Sequence, residues 1–307
     1  MRFGHLMEDT RAALGVRGPW WRRAVESIAY RLVLPRHALL LAVTWLLLVA
    51  QRLRLVPPRL GLPRLTRAAL RPLDVPAGGE PDAWLFTGCV MDAWLRDTHR
   101  AAARVMRATG AAIARPERGG DCCGALHVHA GRTAQARRLA RRVIGSMPGD
   151  APVVVDSAGC GAVMKDYGRL LGTTEAAAFS ARVRDFSEWV ADRGPLAATP
   201  TGRRLVVQDP CHLRHVQRAH AAVRTVLRDV YELVETDDEG MCCGAGGAYA
   251  ALQPELAAAV RDRKVGALRR AAPGAVVVSA NPGCMMHLRA AGLDVAAPGG
   301  SAGGGVG

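Results

Sequence analysis

Residues 119–125 read GGDCCGA and residues 240–245 read GMCCGA, so one chain of 307 residues carries two adjacent-cysteine motifs with matching flanks. The likeness continues outward from each pair. Cys89 in TGC precedes the first pair and Cys160 in DSAGCGAVM follows it, while Cys211 in DPC and Cys284 in ANPGCMMH bracket the second. The eight cysteines form one pattern, C…CC…C, used twice, with 32 and 36 intervening residues in the first set and 30 and 40 in the second. Equivalent cysteines lie 122, 120 and 124 positions apart. A period held this closely, with three matched flanks, indicates duplicated units.

Strand signals lead into four of the cysteine positions. AWLF runs into Cys89, PVVVDSAG into Cys160, RLVVQDP into Cys211 and AVVVSANPG into Cys284. Each run is short, apolar and closed by Gly, Pro or Asp, as a buried parallel strand requires. Long helical stretches rich in Ala, Arg and Leu follow, at residues 125–144 and 254–270. Strands alternating with helices predict an α/β fold class, with two related cysteine-rich domains on parallel-sheet cores. The expected boundaries are 1–79 for a basic helical segment, 80–198 and 199–296 for the two domains, and 297–307 for a disordered Gly-rich tail. Most cysteines then fall just past a strand's carboxyl end, where open α/β sheets collect ligands. Helix N-termini there favour thiolates and anionic clusters. Neighbouring glycines such as Gly88, Gly124, Gly159 and Gly244 would let the backbone approach a bulky inorganic group, and ordinary turns explain them equally well.

The formal charge is +14, and the first 73 residues hold thirteen arginines against only Glu8, Asp9 and Glu26. A basic surface suits nucleic acid, anionic lipid or an acidic partner. Lys165 and Lys264 are the only lysines, however, so the arginine excess also fits the coding bias of a GC-rich genome. No aromatic-interleaved basic stretch, RNP-type sequence or zinc-finger spacing is present, and nucleic acid is not an expected partner. The apolar run at 38–50, ALLLAVTWLLLVA, is shorter than the roughly 20 residues a bilayer span needs. A buried helix is expected there, with an interfacial helix flanked by Arg36, Arg52 and Arg54 as the alternative. The run starts too far into the chain for an ordinary signal peptide. The expected location is cytoplasmic, with peripheral association at the inner face of the cell membrane as a variant.

Three chemistries compete for the thiols. Disulfides suit an even count, but no secretory signal accompanies them and adjacent cysteines pair poorly. Structural zinc favours C-x2-C knuckles, which neither motif contains. Four thiolates per site suit an iron–sulfur centre. The candidate metal ligands are therefore Cys89, Cys122, Cys123 and Cys160, and Cys211, Cys242, Cys243 and Cys284. Candidate supporting residues are His127, His129, His212 and Lys165. His215, His287, Asp156, Asp209 and Tyr249 lie near the cysteines as well, and Met285 and Met286 read as core filler. No Ser/His/Asp order, phosphate loop or G-x-G-x-x-G after a strand occurs, so no catalytic residue is assigned.

The stretches FTGCVMD, DCCGALHVHAGR, DSAGCGAVMKDYG, DPCHLRHVQ, CCGAGGAY and NPGCMMHLRAAG together resemble the CCG domains of the cysteine-rich subunit of heterodisulfide reductase. More closely they resemble the iron–sulfur subunit of bacterial glycolate oxidase, over residues 2–293. The resemblance implies one iron–sulfur cluster per domain and leaves the type of cluster undecided, with zinc as the alternative in one site. It also implies an electron-transfer subunit of a glycolate or related 2-hydroxy-acid oxidase complex. A partner subunit containing FAD would take electrons from the substrate, and this chain would pass them toward an acceptor such as a quinone.

Two departures from the family pattern matter. The heterodisulfide reductase motif ends C-x-x-C, where this chain has Val163 and His287. Glycolate oxidase subunits also open with a ferredoxin-like domain holding two 4Fe–4S clusters, and no such cysteine run precedes Cys89. MRFGHLMEDTRAALG resembles the stretch that follows that domain, so Met1 is expected to be an internal start or the start of the second half of a split gene. A separate ferredoxin-like chain is then a further candidate partner. The rival readings are a heterodisulfide-reductase-like or lactate-utilisation-like catalytic subunit, and a metal-stabilised scaffold or truncated non-redox fragment.

Overall fold

The computed structural model describes residues 3–15, 19–56, 65, 71–117, 119–194, 198–238 and 240–302. Its N-terminal segment is helical: α1 (Phe3–Leu14), α2 (Trp20–Ile28), a π-helical turn (Ala29–Val33) and α3 (His37–Arg52). The first sheet unit follows as β1 (Ala83–Phe86), α4 (Val90–Trp94), α5 (Arg96–Ala108), β2 (Ile113–Ala114), α6 (Ala125–His129) and α7 (Thr133–Gly145). It continues through β3 (Val153–Val155), α8 (Ala158–Met164), α9 (Tyr167–Leu171), α10 (Thr174–Arg182), β4 (Val183–Asp185) and α11 (Phe186–Ala191). The second unit has β5 (Arg204–Gln208), a π-helix (His212–Gln217), α12 (His220–Leu227), β6 (Glu232–Val234), α13 (Tyr249–Leu252) and α14 (Pro254–Ala271). It ends with β7 (Val276–Ser279), α15 (Pro282–Arg289), β8 (Val295–Ala296) and α16 (Pro298–Ala302).

The fold is α/β, with two four-stranded parallel sheets in the orders β2-β1-β3-β4 and β6-β5-β7-β8. The two orders are the same once the repeat is taken into account, so the duplication read in the cysteines extends to the topology. Each sheet is covered on both faces, which is why its central strands are continuous apolar runs. Trp84, Phe86, Val153 and Val155 point toward α7 and α10, while Leu85 and Val154 point the other way. Leu205, Val207 and Val278 share that second interior, together with Met106 of α5, Trp189 of α11 and Leu227 of α12. The two units therefore close over one common hydrophobic layer. Each fully buried side chain of this size contributes about 1.5–3 kcal/mol.

Three expectations are corrected. The helical stretch at 125–144 is two helices, because Gly131 adopts φ +70 and sits against the backbone of Arg11, where a Cβ would meet the carbonyl oxygen at 2.5 Å. The apolar run at 38–50 lies in α3 but is not a buried helix. Only Leu40, Thr44 and Leu48 are buried there, whereas Leu39, Val43, Trp45 and Leu46 are exposed. The expected disordered tail from 297 instead begins with α16. This helix docks because Gly299 lets it approach Ala102 and because Tyr231 Oη donates to the Ser301 carbonyl at 2.7 Å. Residues 303–307 of that tail lie outside the described residues, as do 195–197 beside the expected boundary at 198.

Candidate metal centre

In each sheet the two central strands carry the chain outward in opposite directions, which opens a crevice at their carboxyl ends. Cys89 follows β1 at the start of α4, and Cys160 follows β3 in the first turn of α8. Both flank the crevice of the first unit. Cys122 and Cys123 reach it on the loop from β2, immediately before α6. Gly88, at φ +67, passes so close that a side chain there would stand 3.9 Å from Cys160 Sγ. The second unit repeats the arrangement, with Cys211 after β5, Cys284 in the first turn of α15, and Cys242 and Cys243 on the loop from β6.

The four thiols of each unit interact. In the first, Cys89 is hydrogen-bonded to Cys122 and Cys123 to Cys160. Those bonds, together with burial, push the Cys89 and Cys123 thiols well above their ordinary range. In the second, a chain of contacts runs from Cys211 through Cys242 and Cys243 to Cys284, with Cys243 Sγ 2.9 Å from Cys284 Sγ. Hydrogen bonding to Cys242 and burial raise the Cys211 thiol, and Cys243 is raised by Cys242, Cys284 and burial. Cys242 moves the opposite way, to about 2, because its hydrogen bonds with Cys211 and Cys243 favour its thiolate. A buried group of four thiols holds few negative charges by itself, since each thiolate repels the next. A cation or cationic cluster at the centre removes that limit, and thiolate is the ligand such groups prefer.

Backbone and side-chain donors also point at sulfur. Ala125 N donates to Cys123 Sγ at 3.5 Å, Gly244 N to Cys242 Sγ at 3.4 Å, and Asn281 Nδ2 to Cys284 Sγ at 3.5 Å. Such donors stabilise sulfur that carries negative charge. Among the described residues, no three His, Cys, Asp or Glu side chains stand arranged to hold a single metal ion. The fit to an inorganic cluster therefore rests on the donor set, four thiols converging from three loops in each unit, buried except for the half-buried Cys160, Cys211 and Cys242.

The candidate supporting residues divide. His212 Nδ1 lies 3.5 Å from Cys211 Sγ, and its ring meets that of His129 at 5.2 Å, so this pair sits between the two units. Burial lowers both, and His129 falls to about 4 with His212 and Arg11 adding to the effect. His127 instead binds the Tyr30 carbonyl through Nε2 at 2.8 Å and anchors the N-terminal segment. Lys165 pairs with Glu188. Asp156 pairs with buried His99, Asp209 with Arg214 and Arg224, and His287 Nε2 lies 3.2 Å from the Ala257 carbonyl. His215 is exposed, Tyr249 is half-buried, and Met285 and Met286 pack in the second core.

Sequence reading missed Asn281 and Tyr167. Asn281 occupies the place in ANPGC that Ser157 holds in DSAGC, so aligning the two flanks would have exposed it. Tyr167 Oη donates to the Cys123 carbonyl at 2.7 Å and braces the first cysteine loop. Nothing local marks that role, because 44 residues separate the partners.

A model of the cysteine-rich domain matches this chain twice, over residues 83–165 and 205–289, and each match contains one full set of four cysteines. The glycolate oxidase iron-sulfur subunit of Escherichia coli is 31% identical over 277 residues, covering 85% of this chain and 66% of that protein. A probable glycolate oxidase iron-sulfur subunit of Bacillus subtilis is 31% identical over 217 residues, 66% of this chain and 48% of that protein. One subunit of the fumarate reductase (CoM/CoB) of Methanothermobacter marburgensis is also 31% identical, over 66% of this chain and 41% of its own length. The chain thus spans between 41% and 66% of the length of these relatives. Its two domain matches, paired sheets and repeated thiol sets place it in the CCG cysteine-rich domain family, among the relatives of the glycolate oxidase iron–sulfur subunits.

Proposed function

We propose that this chain is the iron–sulfur electron-transfer subunit of a glycolate or related 2-hydroxy-acid oxidase complex. The observation that carries the reading is the repeated convergence of four thiols on a sheet crevice, once in each unit. A cluster bound at each site would supply one-electron transfer. The chain's own part is to hold the ligands, exclude water by burial and aim N–H donors at sulfur, which favours the reduced form. A partner subunit with FAD would deliver electrons, and an acceptor such as a quinone would receive them. Similarity to the two glycolate oxidase subunits supports this assignment.

The test is iron, acid-labile sulfide and zinc per chain on protein purified without oxygen, with Cys123→Ala and Cys243→Ala alongside. Iron and sulfide in similar amounts, falling by roughly half in each variant, support two cysteine-ligated clusters. Zinc without sulfide overturns the reading. A second reading, a subunit that itself reduces a substrate, draws on similarity to the CoM/CoB fumarate reductase subunit. Disulfide reduction by the purified chain without a flavoprotein would favour it.

A further inference from the structure

The N-terminal segment carries two features that thiol chemistry does not use. The first is an apolar outer face. Along α2 and the π-helical turn, Trp20, Trp21, Val25, Ile28 and Leu32 fall within one stripe and are all exposed, Trp20 by 75%. Along α3 the inner residues Leu40, Thr44 and Leu48 are buried, and Leu40 packs with Cys89, Ala93 and Cys122. The outer residues Leu39, Val43, Trp45 and Leu46 face solvent, with Leu46 at 59%. Large apolar side chains exposed in this number on successive helices mark an interaction site.

The second feature is a basic cavity of about 920 Å³ beneath the corner joining α2 to α3. Arg31 and Arg36 from the corner and Arg132, Arg138 and Arg142 from α7 and the turn before it line this cavity, with the first residues of α7. Arg132 is 11% exposed, its Nη2 lies 3.9 Å from Glu26 Oε2, and its Nε has no hydrogen-bond partner among the described residues. Five guanidinium groups, one of them with an unpaired buried N–H, and the positive end of a helix favour an anion. Arg31 lies on α2's continuation at the border between the cavity and the apolar stripe.

We propose that the N-terminal segment seats the protein on an anionic phospholipid surface, with headgroup phosphate received in the arginine cavity and the outer faces of α2 and α3 entering the interface. Charge selects the occupant: the segment carries thirteen arginines and three acids, so anionic lipid complements it, and exposed tryptophans suit the headgroup level. No single described helix is long and apolar enough to cross a membrane; Arg23–Val33 and His37–Arg52 reach that length and hydropathy only together, and they are bent by 118°. Because the inner face of α3 packs on Cys89, the first thiol group then stands about one helix diameter, roughly 10 Å, from the lipid. The surface itself does not depend on which metal the thiols hold.

The experiment is flotation of the full chain with vesicles of phosphatidylcholine alone and of phosphatidylcholine mixed with phosphatidylglycerol. Trp45→Glu/Leu46→Glu and Arg138→Glu/Arg142→Glu are tested alongside, all at exposed positions so that folding survives. Wild-type chain is expected to float with the anionic vesicles only. The Arg138→Glu/Arg142→Glu variant should bind at least tenfold more weakly, because one basic residue near an anionic surface is worth about a factor of five and the pair about thirtyfold. Trp45→Glu/Leu46→Glu should lose binding as well, because it replaces the apolar contact with two carboxylates that the anionic surface repels. Titration with inorganic phosphate and glycerol phosphate forms the second arm. Phosphate binding without vesicle binding overturns the membrane and leaves a site for a soluble anion. Equal binding to both vesicle types, or binding that survives the Trp45→Glu/Leu46→Glu change, also overturns the proposal. So does failure of folded wild-type chain to float, which would leave the face to a protein partner.

Discussion

Asn281 Oδ1 accepts a hydrogen bond from Gly159 N at 3.0 Å, joining the loop that carries Cys284 in one unit to the loop that carries Cys160 in the other. The same amide donates through Nδ2 to Cys284 Sγ. Beside it, Ala158 N donates to the Ala280 carbonyl at 2.9 Å, and Gln217 Nε2 donates to the Ala158 carbonyl at 2.8 Å. The two thiol sites are thus linked through one side chain and a short stretch of backbone.

Replacing that amide by Asn281→Leu removes both contacts and keeps the branching of the side chain. The Gly159 N–H loses its acceptor, at an expected cost of about 1–3 kcal/mol. With a cluster bound, loss of the N–H···S contact should lower the potential of the second centre and leave the first nearly unchanged. Urea denaturation and a reductive titration followed by electron paramagnetic resonance check the two effects, and an unchanged potential in both centres refutes the second.

His99 is buried and bonded through Nδ1 to Asp156 Oδ2 at 2.7 Å. Burial alone would lower its pKa, but the Asp156 carboxylate outweighs burial and raises it. Stability from this pair is fully present below the unfolded value of about 6.5 and is lost as pH rises through the higher folded value. The urea midpoint should therefore fall across that window. His99→Gln should start lower and lack that step, and a wild-type midpoint flat across the window contradicts the assignment.

Lys264 is fully buried on α14 and bonds both oxygens of Asp238, at 2.9 and 2.7 Å, on the loop that leads to Cys242. Burial would raise the Asp238 pKa, but Lys264 and Thr236 reverse that and hold it down. Lys264→Met leaves the carboxylate unpaired and should cost about 3–5 kcal/mol. The wild-type contribution is present above the unfolded Asp value and fades as pH falls through the lower folded one. Chemical denaturation at neutral and acid pH would reveal the loss and its direction.

Gly244 holds φ +85 beside the second cysteine pair, and a Cβ there would stand 2.5 Å from the Ala257 carbonyl oxygen of α14. Gly274 has a similar φ of +75 with open space around it. Gly274→Ala should cost about 1–2 kcal/mol for the left-handed backbone alone. Gly244→Ala should add about 1–3 kcal/mol of overpacking and displace the Cys242 and Cys243 thiols. Equal losses in the two variants would mean that α14 yields without cost.

The repeat and the sheet class were legible because their signals are local. Runs such as AWLF and AVVVS announce buried parallel strands by composition, and the cysteines immediately after them mark the carboxyl ends. Gly299 and Tyr231 show the opposite case. A Gly-rich terminus reads as disorder until a partner surface on α5 accepts it and a tyrosine 70 residues away caps its carbonyl. The apolar run at 38–50 misled for a related reason, since composition reports how apolar a helix is and not how many of its faces find a partner.

The sequence by itself determined the duplication, the eight thiols and their placement behind strands, because chain connectivity and side-chain chemistry are local properties. Tertiary structure alone decided that the thiols meet at the crevices, that the two units share one apolar layer, and that Asn281 ties the cysteine loops together. It also decided which face of α3 covers Cys89 and which remains bare. Each of these depends on contacts between residues far apart in the chain, whose closure is settled by the packing of all layers at once rather than by any one segment.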